Sequence, residues 1–497
     1  FIALMLLLGY MANKKNKSGD ATEFFVVNRS LGILLCAGTY CASFLSAGTF
    51  VGTAGVIYSL GWVYVWQLIG SLAGPFFLCI VLVPKFWRYG YYNNALSMPD
   101  LFAERYSAKW SRIIFSLVIL IVYIFGMSSM YLGLNAVWGQ ISDVPLIWII
   151  IISAITILIF SCSGGARGVT WTDTACSAIM LVAVVIMSIV ILVKSGGFES
   201  LAVQFASSPK VEGTSWMHGK DLIAPTNAYY TVIMTIAWNL TWFLGNTSQP
   251  HQVTRAYLAK NEKVARGAIA LSEAVILIVV FAIPLVGAYA RVLFPALGKA
   301  DYAFPAVVMA TLPSFVAAFV LVAIVAAIFS TASTMLIISG QCVSYDFYKK
   351  LINPEASDKD VLNISRIAMI VCSLLSIIIA YYAQTLPSLL FLWNSAFAMM
   401  GATITPSLVA AFYWKGATAK GNVASMITGM GVSIFLNLFP ELKPFGLHPL
   451  LPALVGSILA LIIVSKCTEN PSPETLDKFF NPLVRYGETE AKNRGLL

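Results

Sequence analysis

Apolar residues in this 497-residue chain fall into repeated runs separated by short polar connections. The runs are about 18 to 28 residues long, the length at which a helix crosses a bilayer. Thirteen such segments can be drawn, at 1–10, 31–58, 61–83, 113–138, 146–162, 171–194, 228–248, 267–291, 315–345, 365–383, 387–413, 421–438 and 449–465. The first is too short to span and begins without a methionine, so it reads as the tail of a leading helix and not as a signal peptide. The pattern predicts an all-α polytopic membrane protein with one membrane domain over 1–497. The leading remnant is followed by five segments over 31–194, five over 228–413, two additional helices over 421–465 and a tail over 466–497.

Composition agrees with this reading. The chain is 59% hydrophobic and 11% charged, with a mean hydropathy of +0.83. A soluble core stops growing well before this length, so such an apolar excess has no use outside a membrane. The net charge of +9 would suit nucleic acid, but the basic residues are dispersed through the connections and form no patch. They alternate as the positive-inside rule requires. With the amino terminus outside, the inward connections carry Lys14, Lys15, Lys17 and Arg29, then Lys85, Arg88, Arg105, Lys109 and Arg112. Arg167 follows, then Arg255, Lys260, Lys263 and Arg266, then Lys349, Lys350, Lys359 and Arg366, and finally Lys415 and Lys420. The outward connections are poorer in base, with Asp143 alone in one. The expected location is a bacterial plasma membrane, with the carboxyl terminus cytoplasmic.

Catalytic chemistry has no foothold in the sequence. Eight cysteines lie in or beside apolar segments without metal-ligand spacing, and His218, His251 and His448 are far apart. No P-loop is present, which argues against an ATP-driven pump. The chain reads as a non-enzyme.

Two of the apolar segments are interrupted by small and polar residues. One contains CASFLSAGT at 41–49, and the other WNLTWFLGN at 238–246 followed by Gln249-Pro250-His251. They open the first and second groups of five. Paired defects in matching halves mark the binding site of inverted-repeat transporters, because unwound backbone at that depth survives only against a cavity or an ion. Gly-rich helix packing is the alternative. A third feature is AIFSTAST at 327–334, where Ala327, Ser330, Thr331 and Thr334 share one helical face. Neutral hydroxyl oxygens are suited to a small hard cation such as sodium, although Ser and Thr also serve helix–helix packing.

Five stretches together resemble the sodium/solute symporters, the family of the proline and pantothenate permeases and the sialic-acid transporters. They are FFVVNRS at 24–30, SGGARGVTWTD at 163–173, QPHQVTR at 249–255, Ser330-Thr331 ahead of YDFY at 345–348, and WKGATAKG at 414–421. The resemblance covers nearly the whole chain. It implies a leucine-transporter-like fold, five helices plus five in an inverted repeat, with extra helices. It also implies a sodium site built from the carbonyls of Ala42, Leu45 and Ala327 and the hydroxyls of Ser330 and Thr331. A second sodium site would use Ser46, Asp173, Ser333 and Thr334, but Phe44 stands where the sialic-acid type has a hydroxyl. Asp173 has a second reading as a helix-start residue favoured by the dipole.

The solute is expected beside the two broken helices, near Ser46, Thr49, Gln67, Trp242 and Asn246, with Asn239 and Trp393 as further candidates. Phe44 replaces the aspartate of the proline permeases, and no arginine occurs near Phe125 to take the carboxylate of a sialic acid. A pantothenate-like monocarboxylate or an amino acid is the expected solute, with sodium as the coupled ion and the lipid bilayer as the surroundings. A proton-coupled or sugar symporter and a transporter-like membrane sensor are the alternatives, although the tail after Ser465 is too short for a signalling domain.

Overall fold

The computed structural model describes residues 21–139, 144–227, 231–383 and 389–495, with residue 141 and positions 3, 5, 7, 8, 10 and 11 of the leading segment. The remainder of that segment, Lys14, Lys15, Lys17 and Asp143 lie outside the described residues. Every apolar segment read from residue 31 onward has its helix. The first is a bent pair, α1 (Ile33–Phe44) and α2 (Gly48–Leu60), which meet at 51°. Then come α3 (Trp62–Tyr92), α4 (Lys109–Trp138), α5 (Leu146–Ile159) and α6 (Gly165–Ser195). The second group holds α7 (Val232–Ser248), α8 (Glu262–Leu293), α9 (Ser314–Ile352), α10 (Asp358–Ala383) and α11 (Leu389–Tyr413). The chain closes with α12 (Ala419–Leu438), α13 (Leu450–Lys466) and three short helices, the first of them α14 (Pro473–Phe480). Among the described residues, eight helices are long and apolar enough to cross a membrane, or nine if the bent pair is one span.

The helices run past the apolar segments at their charged ends. The segment expected at 267–291 is helical from Glu262, where Asn261 caps the first turn by accepting from the Val264 amide at 2.8 Å. Hydropathy reports the thickness of the hydrocarbon layer, whereas backbone hydrogen bonding continues until a cap ends it. Between α5 and α6 the helix continues without a loop and turns at Gly165, whose φ is +53°. A side chain there would be strained, and its Cβ would lie 2.8 Å from the Phe24 ring.

The centre of the bundle is built from α1, α2, α6, α8 and α9. From Ala326 to Gln341, α9 is buried on all sides, which is the signature of a helix enclosed by others. The residue before α1 is also tied to the connection between α7 and α8. Leu31 donates to the Leu258 carbonyl at 3.0 Å, and the Lys260 amide donates to Leu31 at 3.1 Å.

Candidate functional site

The bend between α1 and α2 frees main-chain oxygens. A continuous helix would give the Ser46 amide to Ala42, but it donates to Thr49 Oγ1 at 3.3 Å. The Thr49 amide would reach Leu45, but it donates to Ser46 O at 3.0 Å. Leu45 itself is extended, with φ −78° and ψ 112°. The Ala42 and Leu45 carbonyls therefore turn sideways, toward α9.

There they meet the hydroxyl cluster. Ser330 Oγ lies 3.2 Å from both Ala42 O and Ala327 O. Thr331 Oγ1 lies 3.0 Å from Ala327 O, 3.3 Å from Leu45 O and 3.4 Å from Ala42 O. All five residues are 0–2% exposed. Two hydroxyl protons cannot satisfy this many contacts, because each hydroxyl donates once. The excess of acceptor oxygens around one point is what a cation relieves. Oxygens held at about 2.3–2.6 Å from a hard cation in an octahedral arrangement sit roughly 3.3–3.7 Å from each other, and the observed separations approach that range. The residues present fit a neutral oxygen cage for sodium.

The residues named for a second sodium are arranged differently. Asp173 on α6 is fully buried and accepts from Thr39 Oγ1 at 2.6 Å. Its other neighbour is Arg255, whose Nη2 lies 3.3 Å from Asp173 Oδ2 and also donates to Thr334 Oγ1. Arg255 Nε donates to Ser43 Oγ at 3.2 Å. Asp173 and Thr334 thus converge on a guanidinium. Ser333 Oγ donates to Ser330 O at 2.8 Å, within its own helix. Arg255 reads from the sequence as a charge in an inward connection, yet it is only 7% exposed. Its partners lie on α1, α6 and α9, and no local sequence signal could have identified them.

On the opposite side of the bend is a small cavity lined by Phe44, Thr49, Thr53, Tyr64, Gln67, Leu68, Ser71, Trp242, Val280 and Ile283. Its free space is about 10 Å³, room for roughly one water. Thr49, Gln67 and Trp242 were expected here from the sequence; Thr53, Tyr64 and Ser71 were not. Gln67 Nε2 donates to the Tyr64 hydroxyl at 2.9 Å. Gln67 Oε1 and Trp242 Nε1 are buried without a hydrogen-bond partner among the described residues. One acceptor and one donor thus remain available at a single cavity, and buried polar groups in that condition call for a ligand or water.

The other solute candidates hold helices together. Asn246 Nδ2 donates to Ser71 O at 3.0 Å, and Asn239 Oδ1 accepts from the Gly70 amide at 2.7 Å, so both join α7 to α3. Trp393 packs edge-on against Phe397, with ring centroids 4.7 Å apart, and Phe397 in turn lies against Trp242 at 4.8 Å. Ser46 contributes the backbone contact described above. His251 is buried just beyond the end of α7, where Nε2 sits 3.2 Å from Ser43 O and Nδ1 2.9 Å from the Tyr123 hydroxyl. The break expected within 238–246 is not observed, because α7 is continuous from Val232 to Ser248, and His251 joins the chain after it to α1 and α4.

The sodium:solute symporter family model matches residues 24–429. The chain is 28% identical to the sodium/pantothenate symporter of Haemophilus influenzae, over 93% of each chain. It is 27% identical to sodium/proline symporter 2 of Staphylococcus saprophyticus, over 95% of this chain and 92% of that one. Among solved structures, a substrate-bound, outward-open Na+-coupled sialic acid symporter superposes with a TM-score of 0.78 at 19% identity, over 95% of this chain and 96% of that one. The fold is accordingly the leucine-transporter type expected from the five stretches. The chain belongs to the sodium:solute symporter family and is a transporter that couples the movement of a small organic solute to that of sodium, not an enzyme.

Proposed function

We propose that one sodium ion binds among Ala42, Leu45, Ala327, Ser330 and Thr331, and that the solute binds between Gln67 and Trp242, where the cavity widens from its present room for about one water to admit it. The observation that carries the sodium reading is the surplus of acceptor oxygens around two hydroxyls. Sodium there joins α1 to α9 across the bend and orders the same segment whose far side lines the solute cavity. Each ligand then raises the affinity of the other by the same factor. Rocking of the two inverted halves, 31–194 and 228–413, opens the site to either side in turn. The helices over 421–465 and the cytoplasmic tail over 466–497 flank this machinery. Thirteen spans, with the amino terminus outside in a bacterial plasma membrane, complete the reading.

The position named for a second ion is held by the Arg255 guanidinium, which supports one sodium per cycle. The solute class is a pantothenate-like monocarboxylate or an amino acid. The cavity supports this by presenting one free acceptor and one free donor beside the hydroxyl residues Thr49, Thr53, Tyr64 and Ser71 and the apolar Phe44, Leu68, Val280 and Ile283. The test is thermal stability of the purified protein in sodium, potassium and choline, followed by addition of pantothenate or proline in sodium. A ligand that binds only the folded state raises the melting temperature. Stabilisation by sodium alone, with a further shift on adding one solute, is the expected result. Identical melting in all three salts would remove the sodium site.

A further inference from the structure

Glu273 lies in the middle of α8, is 2% exposed, and has no hydrogen-bond partner on either carboxyl oxygen among the described residues. This is unlike the other buried acids. Arg112 holds both Asp100 and Asp346 at 2.8 Å, and Arg255 holds Asp173. From the helices packed against α8, the titratable groups near enough to interact with Glu273 are Tyr40 and Cys41 on α1 and Cys79 on α3. Among the described residues no ion pair reaches it; Arg266 lies two turns earlier on α8, with its main-chain oxygen 3.4 Å from Cys79 Sγ. The Tyr40 hydroxyl is also buried and without a partner among the described residues.

Its place in the bundle is defined by three helices at once. Val280 of α8 lines the solute cavity, and Glu273 is two turns before it. Phe44 of α1 lines the same cavity, and Tyr40 is one turn before it. Ser71 of α3 lines it, and Cys79 follows about two turns later. All three displacements point toward the end of the bundle where Arg88 of α3 pairs with Glu262 at the start of α8 at 2.7 Å. Glu273 therefore sits between the solute cavity and that end. An ionised carboxylate cannot be sustained there without a counter-charge, so the group carries a proton while the region is sealed. A carboxyl kept for structure alone is held by the bonds it makes, and this one makes none among the described residues.

We propose that Glu273 is a proton-binding site, occupied while the cytoplasmic side of the solute cavity is closed and exchanging its proton with water when that side opens. The step is a simple dissociation: the carboxyl O–H bond breaks, the electron pair stays on the carboxylate, and the proton passes to water. The inference rests on the alternating-access reading above. Infrared difference spectra of the purified full chain, wild type minus Glu273→Gln, isolate this one group. In sodium at neutral pH the expected signal is the carbonyl band of a protonated acid. In choline at alkaline pH that band is lost and carboxylate bands replace it. Carboxylate bands at neutral pH in sodium would overturn the proposal. An acid band that neither pH nor the change of ion moves would also overturn it, leaving Glu273 as a sealed structural acid. Glu273→Met supplies the same subtraction if the glutamine variant does not fold. Failure of the sodium site is read separately, as equal wild-type melting in sodium and choline, and in that event the response of the band to pH alone decides.

Discussion

Thr331 Oγ1 lies 3.3 Å from the main-chain oxygen of Leu45, although 286 positions separate the two residues. The contact joins a helix that is whole to one that is broken. Thr331 can satisfy its own hydroxyl within α9, where Ala327 O is 3.0 Å away, so packing alone does not require Leu45. Leu45 O needs a partner because its helical one has turned elsewhere. A cation that accepts both oxygens, and three more, resolves the shortage at a single point.

Loss of either hydroxyl therefore weakens sodium more than it weakens the fold. Contacts to a charged group are worth about 1.5–3 kcal/mol each, which is tenfold or more in affinity. Ser330→Ala and Thr331→Ala are expected to raise the sodium concentration for half-maximal thermal stabilisation at least tenfold, while melting in choline stays close to wild type. Unchanged sodium titrations in both variants would show that the hydroxyls only pack.

Arg255 and Asp173 form a pair in which each offsets the burial of the other. Removing one partner of a buried pair typically costs about 3–5 kcal/mol, whereas neutralising both costs far less. Arg255→Met should melt well below wild type, and Arg255→Met combined with Asp173→Asn should recover much of the difference. A double variant no more stable than the single one would mean that the two charges are not coupled.

Trp242 and Gln67 are expected to act on solute and not on sodium. Trp242→Phe keeps an aromatic ring, smaller than the indole, and removes the free N–H; Gln67→Leu removes the free carbonyl. Each should raise the KM for uptake about tenfold, the value of one hydrogen bond to a bound ligand. The sodium-induced rise in melting temperature should persist in both. A parallel loss of sodium stabilisation would place these residues in the fold and not in the solute pocket.

Gly70 lets α3 approach α7. A Cβ there would lie 2.2 Å from the Asn239 carbonyl oxygen, so Gly70→Ala must push the helices apart at the solute cavity. Overpacking of this kind costs about 1–3 kcal/mol. Gly431→Ala in α12 meets no atom within 4 Å and should be neutral, or stabilising by up to about 1 kcal/mol through helix propensity. Thermal melting of the two variants side by side checks the contrast, and equal behaviour would contradict the packing argument.

Much of the architecture is legible in the chain because a bilayer imposes local rules. Apolar length marks each spanning element, and small or polar residues at 41–49 mark where the first helix gives way. The similar stretch at 238–246 stays helical, because α7 runs unbroken from Val232 to Ser248 and the chain leaves it only at Gln249. The face of AIFSTAST follows from helical periodicity alone, so the hydroxyls of the cage could be named in advance. The carbonyls proposed as ligands carry no side-chain signal; Ala42, Leu45 and Ala327 followed from the family resemblance, and the turn of Ala42 and Leu45 toward α9 from the observed break.

Other features depend on which helices meet. Asn239 and Asn246 looked like solute contacts but join α7 to α3, because polar side chains at mid-depth are equally useful for holding helices together. Arg255 looked like a surface charge, and its placement against Asp173 and Thr334 comes from the fold of the connection after α7 back onto α1. Glu273 is one acid among many in the sequence; its lack of partners is a property of the space around it. The sequence by itself determined where the apolar runs lie, the break at 41–49 and the chemistry of the α9 face, since these depend on residues adjacent along the chain. Tertiary structure alone decided which charges are paired, which polar atoms are left free and where the cavity lies, since each depends on the packing of helices hundreds of residues apart.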